Sequence, residues 1–386
     1  MGKIVLSNRV AQDQYTDYVR DAFDLSVGDV CTVEIPMNFD LEHMGDWNIG
    51  LLVGASGSGK SQILNRLGGS MAAQFDNSKT LISNFDNMSP TDAAECLCAM
   101  GLSSVPSWLR PYGVLSNGEK YRAELAWIVA HAKEGEIVRM DEYTSVVDRN
   151  VAKSMSNALQ KYVRRRGLKV LLASCHYDII EWLQPDWVYD LDKGGVLERG
   201  DCLRQGRPPI SLRVYRTEPD TWRIFAKHHY ITADMNMGAS CYCFEWDGKT
   251  VGFCSVLANP GKGLENAWRI SRLVVLPDFQ GLGLGRHIAE FISSIYANEG
   301  YRMYIKTVNP RLGEYFKRSP LWEPTGYNGR VRGISESDAE RYANRLTRAS
   351  YCYKYVGDKV SGFEDLTLPI EKMRKAKSLE GQLSLF

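Results

Sequence analysis

The sequence has almost no net charge: 47 Lys and Arg stand against 46 Asp and Glu, a formal +1 over 386 residues. No general excess of positive charge is therefore available to draw the chain onto a phosphate polymer, and any nucleic-acid contact must be a local patch. Long apolar runs are missing as well, the longest falling far short of the roughly 20 residues that a membrane helix needs. The N-terminus lacks the charged, apolar and small-residue succession of a secretory signal, so a cytoplasmic chain with no membrane partner is expected. Nine cysteines, an odd number, form two C-x-C pairs (Cys96 and Cys98, Cys241 and Cys243) and no C-x-x-C. That pattern suggests neither a disulfide framework nor a zinc knuckle, and reduced, mostly buried thiols are expected. What is present is ordinary globular material, 44% hydrophobic and 24% charged, in a chain longer than one core usually supports. Two domains with short extensions are the natural reading.

Ile49 to Val53 is an apolar run of strand length leading into Gly54-Ala-Ser-Gly-Ser-Gly-Lys60-Ser61, a complete G-x-x-x-x-G-K-S followed by Gln62. Gly54, Ser56, Gly57 and Gly59 let the backbone wrap a phosphate at a helix N-terminus, Lys60 neutralises the β and γ phosphates, and Ser61 can ligate magnesium.

Four more elements follow in order. Leu115-Ser116-Asn-Gly118-Glu119 precedes Arg122 and an Ala-rich helix from Ala123 to Ala130; Ile137-Val-Arg-Met-Asp141-Glu142 reads as a strand ending in two carboxylates; Ser145 to Asp148 follows it. Val170 to Ser174 ends at Cys175-His176, and Trp187-Val-Tyr-Asp-Leu-Asp-Lys-Gly-Gly closes the series. Together these resemble the signature, Walker B, D-loop and switch histidine of ABC ATPases, over about residues 1–210. The resemblance implies that Asp141 holds magnesium through water and Glu142 polarises the attacking water, with His176 as switch residue. It also implies a head-to-tail homodimer closed by two ATP molecules, with Ser116 and Gly118 facing the ATP of the other copy. The chain departs from the pattern at Asn117, Glu119 and Arg139, and Gln74 is only a weak Q-loop candidate. An altered signature could slow hydrolysis or leave a binding switch.

After the Gly-, Arg- and Pro-rich stretch 200–209 the pattern restarts. Ser240 to Trp246 and Val251 to Ala258 are β-rich and joined at Asp247-Gly248, a hairpin signal. Ile270 to Leu276, with Val274 and Val275 near its end, leads into Gln280-Gly281-Leu-Gly283-Leu-Gly285-Arg286, an amphipathic helix from His287 to about Ala297, and a strand from Met303 to Val308. Strand, Q-x-x-G-x-G turn and helix resemble motif A of the GNAT acyltransferases, over about residues 213–327. The turn is a second anion cradle, suited to the pyrophosphate of acetyl-CoA or another acyl-CoA.

Acyl transfer to an amine needs a base for the amine proton and an acid for the departing thiolate. By resemblance Tyr315 stands where many GNAT enzymes place the acid, although with 20 tyrosines in the chain a packing role is as good a reading. Lys227-His228-His229-Tyr230 joins two of six histidines to a phenol and offers a base, an acid or a metal ligand, or simply a packed helix end. The cluster resembles the His-His-Tyr stretch of Mom-type phage proteins, GNAT-fold enzymes that modify adenine in DNA. Arg269 and Arg272 would then be substrate or CoA contacts, and a phage-encoded chain would work in the host cytoplasm.

The chain ends in Gln382-Leu383-Ser384-Leu385-Phe386, which resembles the peptide that docks replication and repair proteins on the bacterial sliding clamp. Two adjacent apolar anchors, Leu385 and Phe386, and a rim hydrogen bond from Gln382 would make that contact, on a tail running over 378–386. The run Arg164-Arg-Arg166 could add nonspecific contact with nucleic acid, though such runs are more often solvated faces.

The expected fold class is α/β: a P-loop ABC-type nucleotide-binding domain (1–210), then a GNAT α/β acyltransferase domain (211–335), a helical or irregular extension (336–377) and the tail. The expected activity is ATP-controlled modification of a nucleobase in DNA, or in RNA. Acetylation of a protein or small-molecule amine, and a DNA-binding ATPase with an inactive GNAT module, are the alternatives.

Overall fold

In the computed structural model the chain forms two compact units, 1–207 and 208–386 apart from residues 103–105. All residues are described except 1, 25–27, 29, 69–71, 134, 201–202, 230–233, 260–263, 331–349, 369–379 and 386.

The first unit is built on a five-stranded sheet of β3 (Ile49–Val53), β4 (Ile137–Met140), β5 (Lys169–Ser174), β6 (Trp187–Asp190) and β7 (Val196–Arg199), in the order β4-β5-β3-β6-β7. All neighbours are parallel except β6 and β7. A hairpin, β1 (Lys3–Arg9) with β2 (Val30–Pro36), carries α1 (Gln14–Phe23) between its strands. β3 is buried along its whole length, as a central parallel strand covered on both faces must be. Gly50 belongs to it because a Cβ there would stand 2.2 Å from the Trp187 ring. One face packs against α3 (Pro90–Ala99), α5 (Asn117–Ala130) and α6 (Arg149–Arg166) through residues such as Leu51, Leu97, Leu125 and Leu159. The other packs Leu52, Ile63 of α2 (Lys60–Arg66) and Trp187 with Ile35 of the hairpin. Each such side chain contributes about 1.5–3 kcal/mol. A short helix α4 (Val105–Trp108) precedes α5, and α7 (Ile180–Leu183) follows β5.

The second unit is an eight-stranded sheet in the order β13-β14-β12-β11-β10-β9-β8-β15. Its strands are β8 (Ile210–Thr217), β9 (Ser240–Trp246), β10 (Lys249–Ala258), β11 (Ala267–Val275), β12 (Arg302–Thr307), β13 (Trp322–Pro324), β14 (Tyr351–Tyr355) and β15 (Glu380–Leu385). Among the described residues of this sheet only β11 and β12 are parallel, joined by α9 (Leu284–Asn298). A short α8 (Trp222–Phe225) follows β8 and α10 (Pro310–Arg318) follows β12.

Two expectations change here. The stretch 336–377 holds β14, which lies between β12 and β13 and pairs with both, so the sheet continues beyond residue 335. The terminal peptide is not a free tail along 380–385, where it adds an antiparallel strand to β8 with Gln382 opposite Arg213 and Leu385 opposite Ile210. Alternating apolar and polar residues suit an edge strand as well as a docking peptide.

Candidate functional site

Because β3, β4 and β5 are parallel, the segments following their C-terminal ends gather at one edge of the sheet. Val53 is level with Ser174, and Leu51, Leu172 and Met140 share a level two residues earlier. The loop 54–59, Asp141, Glu142 and His176 therefore emerge together, though in sequence Asp141 lies 82 residues after Gly59 and His176 lies 34 after Glu142. Gly54, Gly57 and Gly59 have φ of +150°, +83° and +100°, conformations an L side chain rarely adopts. α2 starts at Gly59 with no side-chain cap, so its first N–H groups face outward for a ligand. Lys60 is buried, and its Nζ donates to the carbonyls of Gly54 and Ala55, both at 2.7 Å, while Ser61 and Gln62 are exposed.

Glu142 has φ +48° and is exposed. Its N–H donates to Asp141 Oδ1 at 2.8 Å, and its carbonyl accepts from Ser145 Oγ at 2.8 Å and Tyr121 Oη at 3.3 Å. These bonds hold a backbone conformation that costs a non-glycine residue about 1 kcal/mol or more. Arg139 donates to the carbonyl of Ile137 at 2.9 Å, within its own strand. The His176 amide donates to Ser174 Oγ at 3.1 Å; burial, then the nearby Arg149, lowers the pKa of its ring, with Asp178 partly opposing. Ser116 caps α5, and Gly118 lies in its first turn. A phosphate chain fits this edge: a glycine cradle, one buried cation and open helix amides. Ser61 and Asp141 are the oxygen donors that would hold a magnesium ion against it; among the described residues there is no cluster of three or more His, Cys, Asp or Glu that could hold a metal without such help.

In the second unit β11 pairs with β12 only from Ala267 to Ile270, after which the strands part. Beside that point the register against β10 jumps from Ser255–Arg272 to Val256–Ile270, leaving Ser271 as a bulged residue. Among the described residues, β12 does not pair with β11 along Leu273–Val275, which includes Val274 and Val275. Gln280 Nε2 donates to the carbonyl of Val275 at 2.8 Å and closes the turn. Gly281 and Gly283 take φ of +89° and +81°. α9 begins at Gly283 without a side-chain cap or an acidic residue in its first turn, and Gly285 and the exposed Arg286 lie there. A strand that parts from β12 and runs into a glycine cradle fits an extended thioester arm ending in a pyrophosphate.

The polar residues near this strand fall into two groups. His229 packs its ring against Trp222, with centroids 5.4 Å apart, and Arg272 lies 5.9 Å over the same Trp222 while bonding the Asp234 carbonyl at 2.6 Å. Burial, then Lys227, lowers the pKa of His228, which also feels Asp278 at the start of the turn. Tyr230 lies outside the described residues, and Arg269 is exposed. Tyr315 stands apart: its hydroxyl donates to Glu290 of α9, and Arg286 lies over its ring. Sequence reasoning missed Trp222, Asp234 and Glu290, whose places show only once the strands are paired.

Gln382, Leu383 and Leu385 are committed to the β8 edge through their backbone, and Phe386 lies outside the described residues. All three arginines of the 164–166 run are paired, with Asp186, Glu95 and Asp92. No helix among the described residues is long and apolar enough to cross a membrane.

Residues 210–317 match the family model described as the acetyltransferase (GNAT) family. The methionine import ATP-binding protein MetN of Symbiobacterium thermophilum is 31% identical over 121 residues, which is 28% of this chain and 36% of that protein. This chain thus spans about a third of that relative. Among solved structures, the ATP-binding cassette MJ0796 bound to ADP and Pi is 17% identical, covering 45% of this chain and 94% of its own, with a TM-score of 0.34. The IAA acetyltransferase from Bacillus cereus is 14% identical, covering 37% of this chain and 97% of its own, with a TM-score of 0.28. The fold is α/β in both units, and the second contains the stretch that matches the acetyltransferase (GNAT) family model.

Proposed function

We propose that this chain is an ATP-dependent acyltransferase that modifies a nucleobase, with DNA as the favoured polymer. The observation that carries the reading is the pairing, in one chain, of two complete anion cradles: 54–61 for a triphosphate and 280–286, after a strand that parts from β12, for acyl-CoA. ATP with magnesium supplies the energy of closure, and acetyl-CoA or another acyl-CoA supplies the activated acyl group.

In the first unit Lys60 binds the phosphates, Asp141 and Ser61 hold the ion, Glu142 orients water, and His176 senses the terminal phosphate. A second copy completes the site through Ser116 and Gly118. The exposed Val114 and Val146, one near Ser116 and the other in the 145–148 loop, support a face that another copy covers.

In the second unit His228 is held towards its neutral form, suited to take a proton from an acceptor amine. Arg272, half-buried over the core residue Trp222, places a cation beside β11, suited to a phosphate or a base edge. A base in duplex must first be extruded, at a few kcal/mol, which gives an ATP-driven clamp its purpose. Docking on a sliding clamp would require β15 to leave β8.

A second reading, acetylation of a protein or small-molecule amine, is favoured by the paired state of Arg164 to Arg166, which removes the most conspicuous basic run from phosphate binding. Incubating purified protein with labelled acetyl-CoA and duplex DNA, single strands, RNA or bulk protein, with and without ATP, decides between them. Label in nucleic acid only with ATP supports the first reading; label in protein alone sinks it.

A further inference from the structure

The turn after β6 reaches back 137 residues to the phosphate loop. Both carboxylate oxygens of Asp192 accept the N–H of Ala55, at 2.8 and 3.0 Å. A Cβ on Gly54 would stand 3.1 Å from Asp192 Oδ1 and 2.8 Å from Ser58 Oγ, so the glycine is needed for the approach as well as for its φ. The same two residues are held from the carbonyl side by Lys60 Nζ.

Asp192 is itself held in place. The buried Asp190 accepts the N–H groups of Asp192 and Lys193 at 3.1 and 3.3 Å, which shapes the turn, and Lys193 Nζ lies 3.4 Å from Asp190. The hydroxyl of Tyr177 lies 2.8 Å from Asp190 Oδ1 and 3.1 Å from Asp192 Oδ2, able to donate to either. Tyr177 follows His176 directly, on the segment leaving β5. Burial, then the two carboxylates, raises the pKa of that phenol, so it stays a donor at all working pH values.

We propose that Asp192 is a positioning residue for nucleotide binding, and that Tyr177 links it to the His176 segment so that the phosphate loop and that segment keep one relative placement. Loss of the carboxylate frees the Ala55 amide and the first turn of the loop. Ordering the loop then falls to the nucleotide, which weakens binding. The effect acts through the loop, since Asp192 bonds its backbone.

The proposal rests on reading 54–61 as an ATP phosphate loop, and the experiment separates the two. Binding of a fluorescent ATP analogue with magnesium is measured on the full chain for wild type, Lys60→Ala, Asp192→Ala, Asp192→Asn, Tyr177→Phe and the Asp192→Ala/Tyr177→Phe pair, together with melting temperature and steady-state ATPase. If wild type binds no nucleotide, or Lys60→Ala binds as well as wild type, the loop reading fails and this proposal with it. With that reading intact, Asp192→Ala raises Kd and KM about tenfold, the size of one lost hydrogen bond to a charged group, with kcat changed less than KM. Asp192→Asn, which keeps an acceptor oxygen for the Ala55 amide, recovers most of the loss. Tyr177→Phe shifts Kd the same way by less, and the pair loses less than the sum of the single variants, because the two share the Asp192 contact. An unchanged Kd in Asp192→Ala overturns the proposal. So does an equal loss in Asp192→Ala and Asp192→Asn, or additive effects in the pair.

Discussion

Ser116 and Glu119 cap each other at the start of α5: the Ser116 amide and hydroxyl donate to Glu119 Oε2 at 3.0 and 2.8 Å, and the Glu119 amide donates back to Ser116 Oγ at 3.4 Å. Ser107 Oγ adds a bond to Glu119 Oε1 at 2.6 Å. Glu119 thus completes a capping box and places a carboxylate at the start of α5. Partial burial pushes the Glu119 carboxyl up, but Ser107, Ser116 and Arg122 outweigh it and hold it below the ordinary glutamate value.

Glu119→Ala is expected to cost about 1 kcal/mol of stability, the worth of such a cap, read by urea denaturation. Because the folded pKa is lowered, this stabilisation is full above the ordinary glutamate range and is lost as pH falls through the lowered value; the gap between wild type and Glu119→Ala should shrink as pH falls below that range. Glu119→Gln removes a negative charge from the face that would meet the second copy's ATP. ATP turnover should rise, and a fall would contradict a homodimer closed over Ser116.

Tyr315 gives its hydroxyl to Glu290, whose own carboxyl is pushed up by burial. Tyr315→Phe is expected to lower stability by about 1 kcal/mol and to weaken acyl-CoA binding through Arg286, leaving the pH dependence of acyl transfer unchanged. Loss of the alkaline limb of that profile, with stability intact, would instead make Tyr315 the acid.

His228 has its pKa lowered, so its neutral form dominates at and above the ordinary histidine value near 6.5. As the base, it should let acyl transfer fall only when pH drops through a value below 6.5, and His228→Gln should abolish that limb with at least a hundredfold loss in rate, within the usual range for a general base. A His228→Gln variant with the wild-type profile would remove the histidine from the chemistry.

β15 covers the edge of β8, so deleting residues 380–386 should leave a row of unpaired backbone groups. A lower melting temperature and concentration-dependent aggregation are expected, both read by light scattering during a thermal ramp. A neutral deletion would return the peptide to the status of a mobile tail.

The parts of the molecule legible in the sequence are those whose chemistry is local. The strand 49–53, its glycine loop and Lys60 lie within 12 consecutive residues, and the 270–286 strand, turn and helix start are nearly as compact. Asp192, by contrast, meets Ala55 across 137 residues and looks in sequence like an ordinary turn acid. The 351–355 run Tyr-Cys-Tyr-Lys-Tyr is a plausible strand by composition, yet nothing local says that it enters the sheet between β12 and β13. The alternation in 382–386 fits two fates, and only pairing with β8 distinguishes them. Arg164 to Arg166 reads as a basic patch because its acidic partners, Asp92, Glu95 and Asp186, sit elsewhere in the chain.

The most direct test is mass spectrometry of nucleosides from the DNA and RNA of cells expressing wild type, Gly283→Asp or Glu142→Gln. An acyl-modified nucleoside is expected in wild type, absent in Gly283→Asp, where an acid would stand in the glycine cradle, and absent or much reduced in Glu142→Gln. A protein that binds acyl-CoA yet yields no modified nucleoside in any of these cells would contradict the nucleobase reading.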